Sequence, residues 1–382
     1  MPKINFDQQI DRQDTASTKW DKYTDKNVLP MWVADTDFKA PAAISDALKE
    51  RIEHGIFGYT HTPDELNAII IERLQRLYNW KVDQQWIVWL PGLVSALNIV
   101  SKQYAGNQAP VITPNPIYPP FKNAPLQAQL DTCQIAMKLE RQRWVMDFDL
   151  LEQQLSQEAE LLLFCNPHNP AGTVYTKDEL SRLAAIVVEH ELTICSDEIH
   201  CDLLLDKHAT HIPIATISPE VEQRSITLMA ASKTFNIAGL GCAFAIIPNP
   251  KIRQQFNKTK QGIVPDANLL GYTATIAAYS QCADWLSKKL DYLRNNHDYL
   301  ITEINSIPGL SMLAHQATYL AWIDVSAANL ENPAKFFEEA GVGLSPGSDF
   351  GDHNFVRLNF GCSKAQLVEA VKRIRNALTS RA

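Results

Sequence analysis

Nowhere in this chain does an apolar run approach the length of a membrane span. The longest nearly apolar stretch, Ile237–Ile247, falls well short of the ~20 residues a bilayer demands. The opening residues, MPKINFDQQIDRQD, hold no apolar stretch of the kind an export signal needs. No long run of basic residues occurs, and 43 acidic side chains outnumber 35 basic ones, for a formal charge of −8. Nucleic acid and anionic membrane are therefore not expected partners. The seven cysteines (133, 165, 195, 201, 242, 282 and 362) include no Cys-x-x-Cys pair. An odd, scattered set argues for free thiols in a reducing cytosol, against a disulfide framework and against a zinc site, so no metal is expected. No Gly-x-Gly-x-x-Gly follows an apolar run, which removes the dinucleotide-binding reading, and no internal repeat or low-complexity tract is present. What is left is a cytoplasmic α/β protein of 382 residues, 46% hydrophobic and 20% charged, long enough for one large domain and a smaller one.

Helices declare themselves by caps and period. Thr62-Pro63-Asp64-Glu65 reads as a capping box before the apolar face Leu66, Ile70, Leu74 and Leu77. Thr176 with Glu179 and Ser363 with Gln366 repeat the device, and an earlier helix runs from Pro41 to near Gly55. Between helices lie apolar runs of strand length: Trp86–Leu90, Pro110–Thr113, Leu161–Cys165, Leu192–Cys195, Ile226–Ala230 and Cys242–Ile247. They do not alternate polar with apolar, which suits strands covered on both faces of a mostly parallel sheet. No linker is visible, so the second domain is expected to combine both chain ends. The expected division is an N-terminal segment 1–45, a large domain 46–284, and a small C-terminal domain 285–382 with strands around Tyr319–Val325 and Phe355–Phe360.

The chemistry follows the strands. After the first run, Pro91-Gly92-Leu93-Val94-Ser95 opens a helix over Ala96–Tyr104, and such a turn offers backbone N–H groups to a phosphate. The next runs end in Asn115-Pro116-Ile117-Tyr118, Asn166-Pro167-His168-Asn169-Pro170, Ser196-Asp197-Glu198-Ile199-His200 and Ala231-Ser232-Lys233. Parallel sheets bind ligands beyond the carboxyl ends of their strands. One edge thus receives a phosphate seat, an aromatic ring, an amide, a carboxylate and a lysine. Taken singly, each has a plainer reading: a solvated lysine, an N-capping aspartate, a packed tyrosine, a turn-forming asparagine. As an ordered set they are the parts of a pyridoxal 5′-phosphate (PLP) site. The aldehyde needs a lysine amine, the pyridine nitrogen a carboxylate, the ring a stacking partner, and the phosphate a helix N-terminus.

Across essentially the whole chain the sequence resembles the fold-type I, aspartate aminotransferase-like PLP enzymes. Asn169-Pro170-x-Gly172, Asp197 28 residues later and Ser232-Lys233 36 beyond that follow the superfamily's order. Within it the chain is similar to the MalY/PatB-type cystathionine β-lyases. That likeness rests on Leu29–Asp35, Phe57-Gly58-Tyr59, Asn166–Pro170, Ser196–His200, Ser232–Gly239, Ser345–Gly351 and Phe355–Asn359. The resemblance implies a large domain with a mostly parallel seven-stranded sheet between helices, plus a smaller α/β domain. It also implies that Lys233 carries PLP as a Schiff base and that Asp197 faces the pyridine nitrogen. Tyr118 stacks on the ring, with Asn169 and His200 near its 3′ oxygen. Gly92, Leu93, Val94 and Ser232 lie at the phosphate, and Tyr59 reaches the neighbouring subunit's phosphate in a homodimer. Arg357, with Asn169 and Tyr118, binds the amino-acid substrate, whose α-carboxylate Arg357 clamps. The chain departs from many relatives at Ala230 and Gly241, where a hydroxyl and a basic residue commonly meet the phosphate.

The reaction this implies is β-elimination from L-cystathionine or a related S-substituted L-cysteine, giving thiol (homocysteine), pyruvate and ammonia, with Lys233 removing the α-proton. An aminotransferase on the same scaffold is the alternative, and a cofactor-bound regulatory protein acting through a partner is a second. Fold alone does not separate them.

Overall fold

The computed structural model describes residues 4–24, 26–155 and 158–381; the first three residues of the polar N-terminus lie outside them. A two-residue strand β1 (Leu29–Pro30) precedes the large sheet. That sheet comprises β2 (Ile87–Leu90), β3 (Val111–Asn115), β4 (Thr132–Glu140), β5 (Arg143–Met146), β6 (Leu161–Cys165), β7 (Thr193–Asp197), β8 (Ser225–Met229) and β9 (Ala243–Ile246), in the order β2-β9-β8-β7-β6-β3-β4-β5. Five neighbours, β8, β7, β6, β3 and β4, are parallel. β9 runs against both β8 and β2, which leaves β2 pointing the same way as those five. Eight strands replace the expected seven. The hairpin partner β5 extends the edge, paired antiparallel to β4, where its mixed composition shows no long apolar run.

Burial on both faces is visible within single strands. In β6, Leu161, Leu163 and Cys165 join one core with Ala96, Leu97 and Val100 of helix Leu93–Gln103. Leu162 and Phe164 join the opposite core with Leu180, Leu183 and Val187 of helix Lys177–Glu189. This two-sided cover is why the strands read as unbroken apolar runs. The capping box at Thr176 and Glu179 is present in both directions. The expected box at Thr62 is not: Pro63 occupies the cap of helix Asp64–Tyr78, and the Thr62 hydroxyl instead meets the Tyr272 hydroxyl at 3.1 Å. At Ser363 only half the box forms, because the Gln366 amide turns toward Met31 and Asp37.

A second sheet holds β10 (Ser311–Met312), β11 (Leu320–Asp324), β13 (Ser345–Pro346) and β14 (Phe355–Asn359), while β12 (Val342–Gly343) pairs with β1. The N-terminal strand is thereby stitched to the C-terminal part of the chain. Long helix Ala283–Asn305 packs into the same core as Phe6, Met31 and Phe38. No described helix is long and apolar enough to cross a membrane.

Candidate active site

β2, β3, β6, β7 and β8 share one direction, so the turns after them open at one edge. Each turn delivers a polar group there. Asp197 ends β7 and is buried, its Oδ1 accepting the Ile199 N–H at 3.0 Å. Lys233 lies one residue into the short helix Ser232–Phe235 that follows β8, and its Nζ donates to the Ala34 carbonyl at 2.7 Å. Asn169 is buried after β6, and its backbone carbonyl accepts the Tyr118 N–H at 3.1 Å, tying the turn after β6 to the turn after β3.

Arg357 reaches the same point from β14 of the smaller sheet. Its Nη1 donates to Asn169 Oδ1 at 3.0 Å, and its Nη2 to the Trp32 carbonyl at 3.0 Å and to Ser345 Oγ at 3.3 Å. The guanidinium is buried over the Phe350 ring, its Nε finds no partner, and no carboxylate among the described residues pairs with it. Burial without a counter-charge lowers its pKa to about 10, although Tyr118, Tyr319 and Asp349 oppose the fall. A buried, uncompensated guanidinium fork is a receptor for a carboxylate.

Burial also sets the other ionisations. It lifts Asp197 to about 7, against the pull of the Ile199 N–H and of Lys233. It drops Lys233 to about 8, helped by Arg357 and opposed by Asp35 and Asp197. It drops His200 to about 3, with Lys233, Arg357 and Lys289 pushing the same way, so the ring is neutral and its Nδ1 is unpartnered. Tyr118 rises by burial, with Arg357 and Asp197 both close enough to be felt. Lys233, Asp197, Tyr118, His200, Asn169 and Arg357 are therefore one electrostatic neighbourhood.

At the end of β2, helix Leu93–Gln103 starts three residues earlier than its apolar pattern suggests, directly after Gly92. No side chain caps it, and the space beside Gly92 is open, so the N–H groups of its first turn are free for an anion. Gly241 has φ +57°, and a Cβ there would lie 3.5 Å from the Pro91 carbonyl. Gly241 is thus a left-handed turn packed against the start of helix Leu93–Gln103. Ser232 is partly buried at the start of the lysine's helix. Tyr59 stands apart: it is fully exposed in the stretch between helices Ala42–Glu53 and Asp64–Tyr78 and joins no group of its own chain's site.

The cradle fits PLP. A lysine amine, a buried carboxylate, an uncapped helix start and an unpaired guanidinium nitrogen are what its aldehyde, ring nitrogen, phosphate and amino-acid adduct require.

Residues 31–38 form a strap over the site that the sequence did not mark as such. Arg357 holds the Trp32 carbonyl, Lys233 and Tyr319 together hold that of Ala34, and Asn359 holds those of Val33 and Asp35. Asn236 takes the Thr36 and Phe38 carbonyls, each at 2.8 Å. Asp35 and Asp37 are met by Arg12 and Lys19. Neutral Asn and Tyr side chains far apart in sequence carry no local signal of such a role.

The family model for aminotransferase class I and II matches residues 28–374. The chain is 37% identical to cystathionine β-lyase PatB of Bacillus subtilis, covering 98% of this chain and 100% of that one. A solved structure of OvoB superimposes with a TM-score of 0.97 at 48% identity, covering 99% and 100% of the two chains. The PLP-bound C–S lyase of Staphylococcus hominis, complexed with the inhibitor L-cycloserine, gives 0.92 at 30% identity over 98% of each. The chain belongs to the aminotransferase class I and II family and has the PLP-dependent fold of that family.

Proposed function

We propose that this chain is a PLP-dependent carbon–sulfur β-lyase that cleaves S-substituted L-cysteines, L-cystathionine among them, to a thiol, pyruvate and ammonia. The observation that carries the reading is Arg357, a buried guanidinium with a free Nε, no acidic partner among the described residues and a bond to Asn169, beside the Lys233 amine. An α-amino acid supplies the missing carboxylate there. The elimination, rather than amino transfer, is supported by the likeness to PatB and to the S. hominis lyase.

Bound PLP supplies an electron sink conjugated to the substrate's α-carbon. The Asp197 carboxylate holds the proton on the pyridine nitrogen; that positive charge favours the ionised acid, which burial alone disfavours. Tyr118 would lie against the ring, and the N–H groups after Gly92, with Ser232, would hold the phosphate. Arg357 and Asn169 fix the carboxylate and thereby the direction of the Cα–H bond. Lys233, which burial brings to about 8 so that the free amine becomes the major form just above neutral pH, takes the α-proton on Nζ from its station at the Ala34 carbonyl. The Cβ–S bond breaks with its electron pair leaving on sulfur, and the released enamine hydrolyses to pyruvate and ammonium.

The same reading makes the enzyme a cytoplasmic homodimer. Its seven cysteines are all free thiols. Ile52, Ile56, Phe57 and Tyr59 are exposed within one short stretch, and Val94 is exposed at the phosphate seat, an apolar surface that a second copy would cover. Tyr59 then serves the neighbour's phosphate. The division into 1–45 with 285–382 against 46–284 is supported by the pairing of β1 with β12.

The test is L-cystathionine added to PLP-loaded protein without any keto acid. Sustained release of pyruvate and thiol, abolished in Lys233→Ala, is expected. A single turnover that leaves an aminated cofactor and is reversed by a keto acid would instead make the protein an aminotransferase.

A further inference from the structure

Two charged side chains beside Arg357 are left over by the mechanism above. Lys122 lies on helix Pro120–Gln127, just after Tyr118, and is partly buried. Asp349 lies on the short helix Gly347–Phe350, next to Phe350, and is exposed. The segments that carry them are docked on one another. The Ile117 N–H donates to the Phe350 carbonyl at 3.0 Å, and Gly351, at φ +112°, admits the Asn115 side chain where any Cβ would collide. Tyr118 packs against the aromatic cluster of Trp322, Phe350 and Phe355, and the Arg357 guanidinium lies 4.6 Å from the centre of the Phe350 ring. One seam therefore runs from the buried guanidinium, past Phe350, to the surface at Asp349.

Among the described residues neither Lys122 Nζ nor the Asp349 carboxylate has a hydrogen-bond or ion-pair partner. Burial draws Lys122 below its ordinary pKa, and the Asp349 charge opposes the fall. The same Asp349 charge is felt at Arg357. Asp349 thus stands within electrostatic reach of both cations and is paired with neither. A partly buried cation and a nearby anion held apart complement a zwitterion, which satisfies both at once. An uncharged ligand would leave the partly desolvated amine unpaired.

Resting on the reading of the chain as a lyase with Arg357 on the substrate's α-carboxylate, we propose that Lys122 and Asp349 select the leaving group. They hold the far end of a thioether whose departing thiol itself carries an amino acid, Lys122 taking its carboxylate and Asp349 its ammonium. A substrate anchored at Arg357 and extended along the seam reaches Asp349 and then Lys122. The preferred class is then a cysteine joined through sulfur to a second amino acid, of which L-cystathionine is one, and not a simple S-alkyl cysteine.

The experiment measures kcat/KM of the PLP-loaded enzyme, by pyruvate release, for L-cysteines that differ only at the far end. L-Cystathionine carries both charges there, S-(2-carboxyethyl)-L-cysteine the carboxylate alone, S-(2-aminoethyl)-L-cysteine the ammonium alone, and S-ethyl-L-cysteine none. Each value is divided by the S-ethyl value of the same variant, which cancels any loss of folding or of cofactor. Lys122→Met is expected to lower the relative value about tenfold for L-cystathionine and the carboxyethyl compound, and not for the aminoethyl compound. Asp349→Asn is expected to lower it for L-cystathionine and the aminoethyl compound, and not for the carboxyethyl compound. Relative values that stay unmoved in both variants overturn the inference, as does an equal fall for all the charged compounds. A parent enzyme that releases pyruvate from none of them removes the lyase reading, a distinct failure. The selectivity is then read from Kd for the same compounds, titrated by the absorption of the bound cofactor, and the same patterns support or overturn it.

Discussion

Among the described residues Arg357 hydrogen-bonds only neutral acceptors, Asn169, Ser345 and the Trp32 carbonyl, and keeps one nitrogen in reserve. Arg357→Lys keeps a charge but loses the planar fork, so KM for the amino acid is expected to rise roughly 10- to 100-fold with a smaller change in kcat. Steady-state kinetics on L-cystathionine read this directly. An unchanged KM would place the carboxylate elsewhere. Lys233 titrates near 8 in the free protein, because burial disfavours its charge. PLP capture by apo-protein is accordingly expected to accelerate with rising pH and level off above about 8, because only the unprotonated amine attacks the aldehyde. A lysine at its ordinary value would still be accelerating two units higher. The lysine, the aspartate and the Asn-Pro turn were legible in the sequence because each follows a strong apolar strand. Tyr319 and the Ala34 carbonyl were not, because their contacts join segments 199 and 285 residues apart.

Helices, strands and turns place these groups to different tolerances. Thr176 caps helix Lys177–Glu189 on the protein's outside, and its partner Glu179 also holds Arg143. Thr176→Ala is expected to cost about 1 kcal/mol of stability, measured by denaturant unfolding, with kcat/KM unchanged. Gly172 is the opposite case. It has φ +68°, and a Cβ there would come within 2.7 Å of His315 Cβ, in the turn that begins with Asn169. Gly172→Ala is expected to lose roughly 1–3 kcal/mol and also to raise KM, because the strain displaces Asn169 and with it Arg357. Turns of this kind are only partly visible in sequence. Asn-Pro announces a turn, but the side chain packed against it belongs to a remote segment. The Thr62 box failed for the same reason: Tyr272, 210 residues away, captured the hydroxyl.

The assembled molecule buries His168, His200 and His315 so deeply that each falls from 6.5 to about 3. Between these values the unfolded chain binds protons that the folded one refuses, so stability is complete above about 6.5 and is lost as pH falls toward 3. Asp197 acts in the reverse sense between 3.8 and about 7, but it is one group against three. The Tm is therefore expected to drop progressively from pH 6.5 downward, and scanning calorimetry of the apo-protein across pH 4–7 checks it. A flat profile would mean that water reaches these rings. The exposed patch around Phe57 makes its own prediction. If the proposed homodimer forms through it, Phe57→Asp turns a dimer, seen by sedimentation velocity, into monomer and weakens PLP retention, and an unchanged sedimentation profile places the interface elsewhere.

Local order along the chain was enough for the α/β class and for the placing of Lys233, Asp197 and Asn169 just after their strands. Strand-length apolar runs and the turns after them are short-range properties. Folding alone decided that Arg357 pairs with no carboxylate among the described residues and that residues 31–38 form a strap held by Asn236 and Asn359. It also set an eighth strand on the sheet. Each of these depends on burial and on encounters between distant segments, and a buried charge acquires its properties only from the neighbours that exclude water from it.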